Sequence, residues 1–242
     1  MPSSTARSPP SGRRRSPPPP PPSRKEPNLN DDPHAGQPVS RAGPALSAAR
    51  GAVILVHGRG SNPADMMGLA RLVLPAEMAA LAPRAAGSTW YPYSFMAPTD
   101  SNEPWLGSAL GRIGALVAEI EAAGLPGERV AILGFSQGAC LALEFAIRNP
   151  RRYGAVVALS GGLIGPEGTV WPDRGSLAGT PAFLGCSDVD FHIPLERVEA
   201  SAALFRARGA EVDARIYPGM GHTVNEDEVA RVRDLLSAIV AA

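Results

Sequence analysis

From Gly51 to the C-terminus, short and almost continuously apolar runs alternate with longer amphipathic stretches, a texture that leaves few architectures open. The runs are Ala52 to Val56, Val130 to Leu133, Ala155 to Leu159, Ala182 to Leu184 and Val212 to Ile216. Each is of strand length and lacks the polar alternation of a strand with one wet face, so helices are expected to cover both faces of a mostly parallel sheet. Between the runs, apolar residues recur at three and four positions, as in Leu110, Ile113, Leu116, Val117 and Ile120, which is helical spacing. Helices are expected near Ala64 to Ala80, Trp105 to Ala123, Gln137 to Arg148, Leu195 to Arg208 and Glu226 to Val240. Such repeated βα units define the α/β class.

The first 50 residues read differently. They hold 13 of the 26 prolines, the run Pro17 to Pro22 and the triplet Arg13, Arg14, Arg15. A segment of this composition cannot bury enough apolar surface to offset its ordering entropy. Residues 1–46 are therefore expected to be an unstructured Pro/Arg-rich tail with polyproline II character, which also takes in His34, and residues 47–242 a single domain. Beyond residue 50 there are 15 basic and 20 acidic residues, a balance that argues against a nucleic-acid partner for the globular part. Cys140 and Cys186 match no metal spacing and are too few for a disulfide framework. No apolar run reaches the ~18 residues of a membrane span, and no secretory signal follows the arginines. A cytoplasmic protein is expected.

Gly134-Phe135-Ser136-Gln137-Gly138 matches G-x-S-x-G, a weak pattern alone. Its setting strengthens it, because the strand Arg129 to Leu133 runs into it and the helical Ala139 to Ile147 runs out. So sharp a strand-to-helix turn strains the serine and requires small neighbours, as in a nucleophile elbow. A serine hydroxyl needs an adjacent base. Of the four histidines, His34 falls in the tail and His57 ends the first strand, where it is expected to order a loop, so that His192 and His222 remain. His222 lies in Pro218-Gly-Met-Gly-His222, between the last strand and the last helix. A sheet that presents its site at the strand C-termini brings that loop over Ser136. The third member, a carboxylate, should follow the serine and precede the histidine. Asp188 and Asp190 share one loop after the strand Pro181 to Gly185, and elementary chemistry does not choose between them.

Negative charge developing on a substrate oxygen requires two backbone donors. Gln137 N–H starts a helix and is one candidate. Arg59 N–H, in Val56-His57-Gly58-Arg59-Gly60-Ser61-Asn62, is the other. Five of the 13 aromatic residues fall between Trp90 and Trp105, within a loop marked by Pro92, Pro98 and Pro104. Trp90, Tyr93, Phe95 and Trp105, with Met220 beside His222, are expected to contact substrate in an apolar cleft. For Trp90 and Tyr91 the competing expectation is packing against the sheet. Arg59 and Arg112 would favour anionic substrates if their charges faced the cleft, but solvated surface arginines are the favoured expectation.

These residues together resemble the phospholipase/carboxylesterase family, which includes acyl-protein thioesterases. The resemblance runs from about Gly51 to the end and rests on HGRG at His57 to Gly60, GFSQGA around Ser136, Asp190-x-x-Ile193-Pro194, and PGMGH ending at His222. It implies an α/β-hydrolase catalytic domain without a large cap, with Ser136, Asp190 and His222 as triad, because the family's acid stands four residues before a proline in this loop. Phe191 stands where the family usually has proline, and Cys186-Ser187 replaces its common His-Gly. The function so implied is a carboxylesterase acting on small or medium esters, with no metal and no cofactor. The alternatives are a thioesterase or lysophospholipase, and a non-catalytic binding member of the fold. The expected partner is a small-molecule ester, and a homodimer is left open.

Overall fold

A computed structural model describes residues 32–242. Its single sheet has seven strands in the order β1-β3-β2-β4-β5-β6-β7: β1 (Val39–Ala42), β2 (Gly51–Val56), β3 (Met78–Pro83), β4 (Val130–Phe135), β5 (Ala155–Leu159), β6 (Pro181–Ser187) and β7 (Glu211–Tyr217). All neighbours pair parallel except β1, which runs antiparallel to β3. The helices are α1 (Pro63–Val73), α2 (Trp105–Ala122), α3 (Gln137–Arg148), α4 (Leu195–Ala207) and α5 (Glu226–Ala241). This is the α/β-hydrolase arrangement.

The apolar runs explain the layering. Along β2, Ala52, Ile54 and Val56 join one buried cluster with α2, α3 and α4, whereas Val53 and Leu55 join the other with α1 and α5. Side chains alternate across a strand, so a run that is apolar at every position requires a helix layer on each side. Asn62 caps α1 by accepting the Ala64 N–H, with Pro63 in the first turn, a start that both residue types favour. Among the described residues, no helix is long and apolar enough to cross a membrane.

Two expectations are corrected. The helix expected over Ala64 to Ala80 ends at Val73, and Met78–Pro83 forms β3. Met-Ala-Ala-Leu-Ala favours helix in isolation, but pairing with β2 on one side and β1 on the other overrides that preference. The tail does not extend through residue 46, because Val39–Ala42 forms the edge strand β1 and His34 is fully buried. His34 Nε2 donates to the Trp90 carbonyl at 2.9 Å, its Nδ1 accepts the Ala86 N–H at 3.1 Å, and Asp32 bonds Ser108. These polar anchors make up for the low apolar content of the segment. The rest of the expected tail, residues 1–31, lies outside the described residues.

Candidate active site

Strand β4 delivers Ser136 to a turn with φ of 55° and ψ of −119°, a conformation that a non-glycine residue adopts only where the surroundings enforce it. The enforcement is close packing. A Cβ on Gly138 would lie 2.0 Å from the Val56 carbonyl oxygen, and one on Gly134 would lie 2.1 Å from the Gly138 carbonyl carbon. Both glycines are thus required for β4, α3 and β2 to approach so nearly. Helix α3 begins at Gln137, directly after the serine.

The loops after β6 and β7 bring the other side chains to this turn. The Ser136 hydroxyl lies 2.9 Å from His222 Nε2, and His222 Nδ1 lies 2.6 Å from Asp190 Oδ2. The Nδ1–H donates to the carboxylate, which leaves Nε2 to accept from the hydroxyl. Burial alone would raise the Asp190 carboxyl, but the His222 hydrogen bond and the backbone N–H groups of His192 and Ile193 outweigh it and hold the group below its ordinary value. Asp190 therefore stays ionised where it meets the imidazole. Asp188 is exposed and accepts the Gly219 N–H at 2.7 Å, so its role is to hold the loop that carries His222. The loop is pinned again where Gly221 N–H donates to Ser187 Oγ at 3.1 Å.

Neither the Arg59 nor the Gln137 backbone N–H donates to another protein group among the described residues, and both residues line the cleft around Ser136. The Arg59 guanidinium turns the other way. It donates to the carbonyls of Tyr91, Pro92 and Tyr93 and to Thr89 Oγ1. Arg112 donates to the Gln37 carbonyl. Both guanidinium groups are thus engaged with backbone carbonyls. The Gln137 side chain joins the same clamp, accepting the Trp90 N–H at 2.9 Å and donating to the Tyr91 carbonyl at 2.8 Å.

The cleft has a volume of about 980 Å³. Tyr93 and Phe95 line it, but Trp90, Trp105 and Met220 do not. Trp90 is fully buried, with its indole N–H donating to the His57 carbonyl at 2.9 Å, so packing against the sheet prevails. Trp105 packs edge-on to His34 with ring centroids 5.5 Å apart. Met220 turns toward Asn225, whose amide lies 3.0 Å from its sulfur. Part of the wall comes from residues that sequence reasoning missed: Met66, Leu69 and Leu72 on α1, and Val224 and Val229 around the start of α5. Leu72 is 57% exposed, and its signal in the sequence was an apolar residue beside Val73, which already fills the buried face. His192, the other histidine left open by the sequence, also lines the cleft, and its ring lies 4.8 Å from that of His222, centroid to centroid.

A sequence profile described as phospholipase/carboxylesterase matches residues 44–240. A crystal structure of a phospholipase/carboxylesterase from Dyadobacter fermentans superposes with a TM-score of 0.80 at 42% identity, covering 84% of this chain and 97% of that one. Acyl-protein thioesterase 1 of Yarrowia lipolytica is 25% identical over 212 residues, or 80% of this chain and 93% of that protein. Acyl-protein thioesterase 1 of Saccharomyces cerevisiae is 34% identical over 119 residues, about half of each chain (48% and 51%). With the sheet order, the sharp turn at Ser136 and these matches in agreement, the chain belongs to the phospholipase/carboxylesterase family of α/β-hydrolases.

Proposed function

We propose that the protein is a serine carboxylesterase in which Ser136 is the nucleophile, His222 the general base and acid, and Asp190 the carboxylate that orients the imidazole. The observation that carries this reading is the continuous relay from Asp190 through His222 to Ser136, with contacts of 2.6 and 2.9 Å, beside two backbone donors with no partner among the described residues. His222 Nε2 takes the hydroxyl proton as Ser136 Oγ bonds to the ester carbon. The resulting oxyanion accepts hydrogen bonds from the Arg59 and Gln137 N–H groups, which need no reorganisation because the loop and the helix start already fix them. The intermediate collapses to an acyl-enzyme as His222 returns the proton to the leaving oxygen. A water molecule, deprotonated by His222, then releases the acid and regenerates Ser136. This chemistry calls for no metal or cofactor.

The open cleft suits a small or medium ester whose carbon chain lies against Tyr93, Phe95 and the apolar side chains of α1. A thioesterase reading is favoured by the relatives named acyl-protein thioesterase 1. The test is a panel of oxygen esters and thioesters of increasing acyl length, with Ser136→Ala as control. Higher kcat/KM on short or medium oxygen esters supports the carboxylesterase reading. A clear preference for long-chain thioesters would replace it, and a chain that hydrolyses neither would be a binding protein.

A further inference from the structure

Glu228 is fully buried in the first turn of α5, yet it has no part in the chemistry proposed above. Its Oε2 accepts the Asn225 backbone N–H at 2.9 Å, and its own N–H donates to Asn225 Oδ1 at 2.9 Å. This reciprocal capping box fixes the end of the loop that carries His222. The other oxygen, Oε1, has no hydrogen-bond partner among the described residues and presses onto β6, where a Cβ on Gly185 would lie 2.1 Å from it. Gly185 stands five residues before Asp190. Glu228 thus bridges the strand that leads to the acid and the loop that holds the base. A cap needs only one carboxyl oxygen, and burying the second unpaired is unfavourable, so capping alone does not account for this placement.

We infer that Glu228 is a positioning residue: wedged between Gly185 and Asn225, it sets the separation of the Asp190 strand from the His222 loop and so keeps the imidazole in line with Ser136. The inference rests on the triad reading above. The titratable groups facing its carboxyl are Asp227 on α5, Cys186 on β6 and Tyr217 on β7. None supplies a positive charge, and burial pushes the carboxyl up to about 7, so the amide of E228Q imitates its uncharged form while preserving the cap.

The test compares the wild-type chain with E228A, E228Q, G185A and the G185A/E228A double variant. Circular dichroism and thermal unfolding count the folded fraction independently of His222, so that kcat is expressed per folded site. The downfield Nδ1 proton of His222, followed by NMR, reports its contact with Asp190 without turnover. E228A should lower kcat per site about ten- to a hundredfold with KM little moved, and should shift or broaden the His222 proton, with E228Q restoring both. G185A alone should reproduce the loss because its methyl group displaces Oε1. Added to E228A it should cost little more, because the space is then vacated. If E228A loses only folded fraction and keeps kcat per site and the His222 proton, the proposal is overturned and Glu228 is a helix cap. Additive losses in the double variant overturn it as well. Turnover persisting in Ser136→Ala would instead remove the triad reading, and the His222 proton would still decide where Glu228 holds the imidazole.

Discussion

Asp188 and Asp190 stand two residues apart on one loop and face different partners: Asp190 Oδ2 meets His222 Nδ1 at 2.6 Å, whereas Asp188 Oδ1 accepts the Gly219 N–H at 2.7 Å. The two carboxylates should therefore separate cleanly in mutagenesis. Asp190→Asn removes the charge that fixes the imidazole tautomer and should lower kcat by about four orders of magnitude. Asp188→Asn keeps an oxygen for Gly219 and should cost far less. Steady-state kinetics on a short ester check this, and the reverse order would move the acid to Asp188.

Trp90 lies between two imidazoles, with ring centroids 5.1 Å from His34 and 5.0 Å from His57. His34 Nδ1 accepts the Ala86 N–H and His57 Nε2 accepts the Ala85 N–H, each at 3.1 Å, so a proton on either acceptor nitrogen would break a buried bond. Burial holds both rings below the ordinary histidine value of 6.5. As pH falls through that value the unfolded chain binds protons that the folded chain refuses. Stability should then decline below about pH 6.5, and above it these rings contribute no slope. Thermal unfolding followed across this range should show the decline, and His34→Gln should reduce it.

Removing residues 1–44 tests the corrected boundary. The truncation deletes β1 and His34 and leaves the Ala86 N–H and the Trp90 carbonyl without their buried partner. Each unpaired group costs about 1–3 kcal/mol, which for a domain of this size lowers the melting temperature by roughly 2–4 °C per kcal/mol. A chain beginning at Ala45 that melts as the full chain does would show that the segment is dispensable.

The α1 wall should determine preference for chain length. Leu72 is exposed at one edge of the cleft, so Leu72→Asp should fold normally while placing a charge against the substrate's carbon chain. Burying one methylene is worth ~0.8 kcal/mol, about fourfold in kcat/KM. The rise in kcat/KM from acetate to octanoate esters should flatten in this variant. An unchanged rise would place the chain elsewhere.

The elements that were legible in the sequence were those with a strong local signal. Strand β4, the sharp turn and α3 could be read together because an apolar run, two glycines around a serine and a helical repeat adjoin without a gap. Strand β3 could not, since its residues are helix formers held extended only by pairing with β2 and β1. The edge strand β1 has four residues and a mostly exposed pattern, so it carries no periodicity at all. At the site, loop order pointed to Ser136 and His222, but nothing local distinguished Asp190 from Asp188. That distinction depends on contacts 32 and 31 residues distant. The aromatic loop misled for a related reason: composition marks Trp90 and Trp105 as apolar, but it does not reveal that both pack against His34, and Trp90 against His57 as well.

The most direct measurement is covalent labelling with a fluorophosphonate, followed by peptide mass mapping of the modified residue. One label per chain is expected, on Ser136, lost in Ser136→Ala and much slowed in His222→Ala, with ester turnover falling in parallel. Labelling at another residue, or ester hydrolysis undiminished in Ser136→Ala, would contradict the assignment of Ser136 as nucleophile.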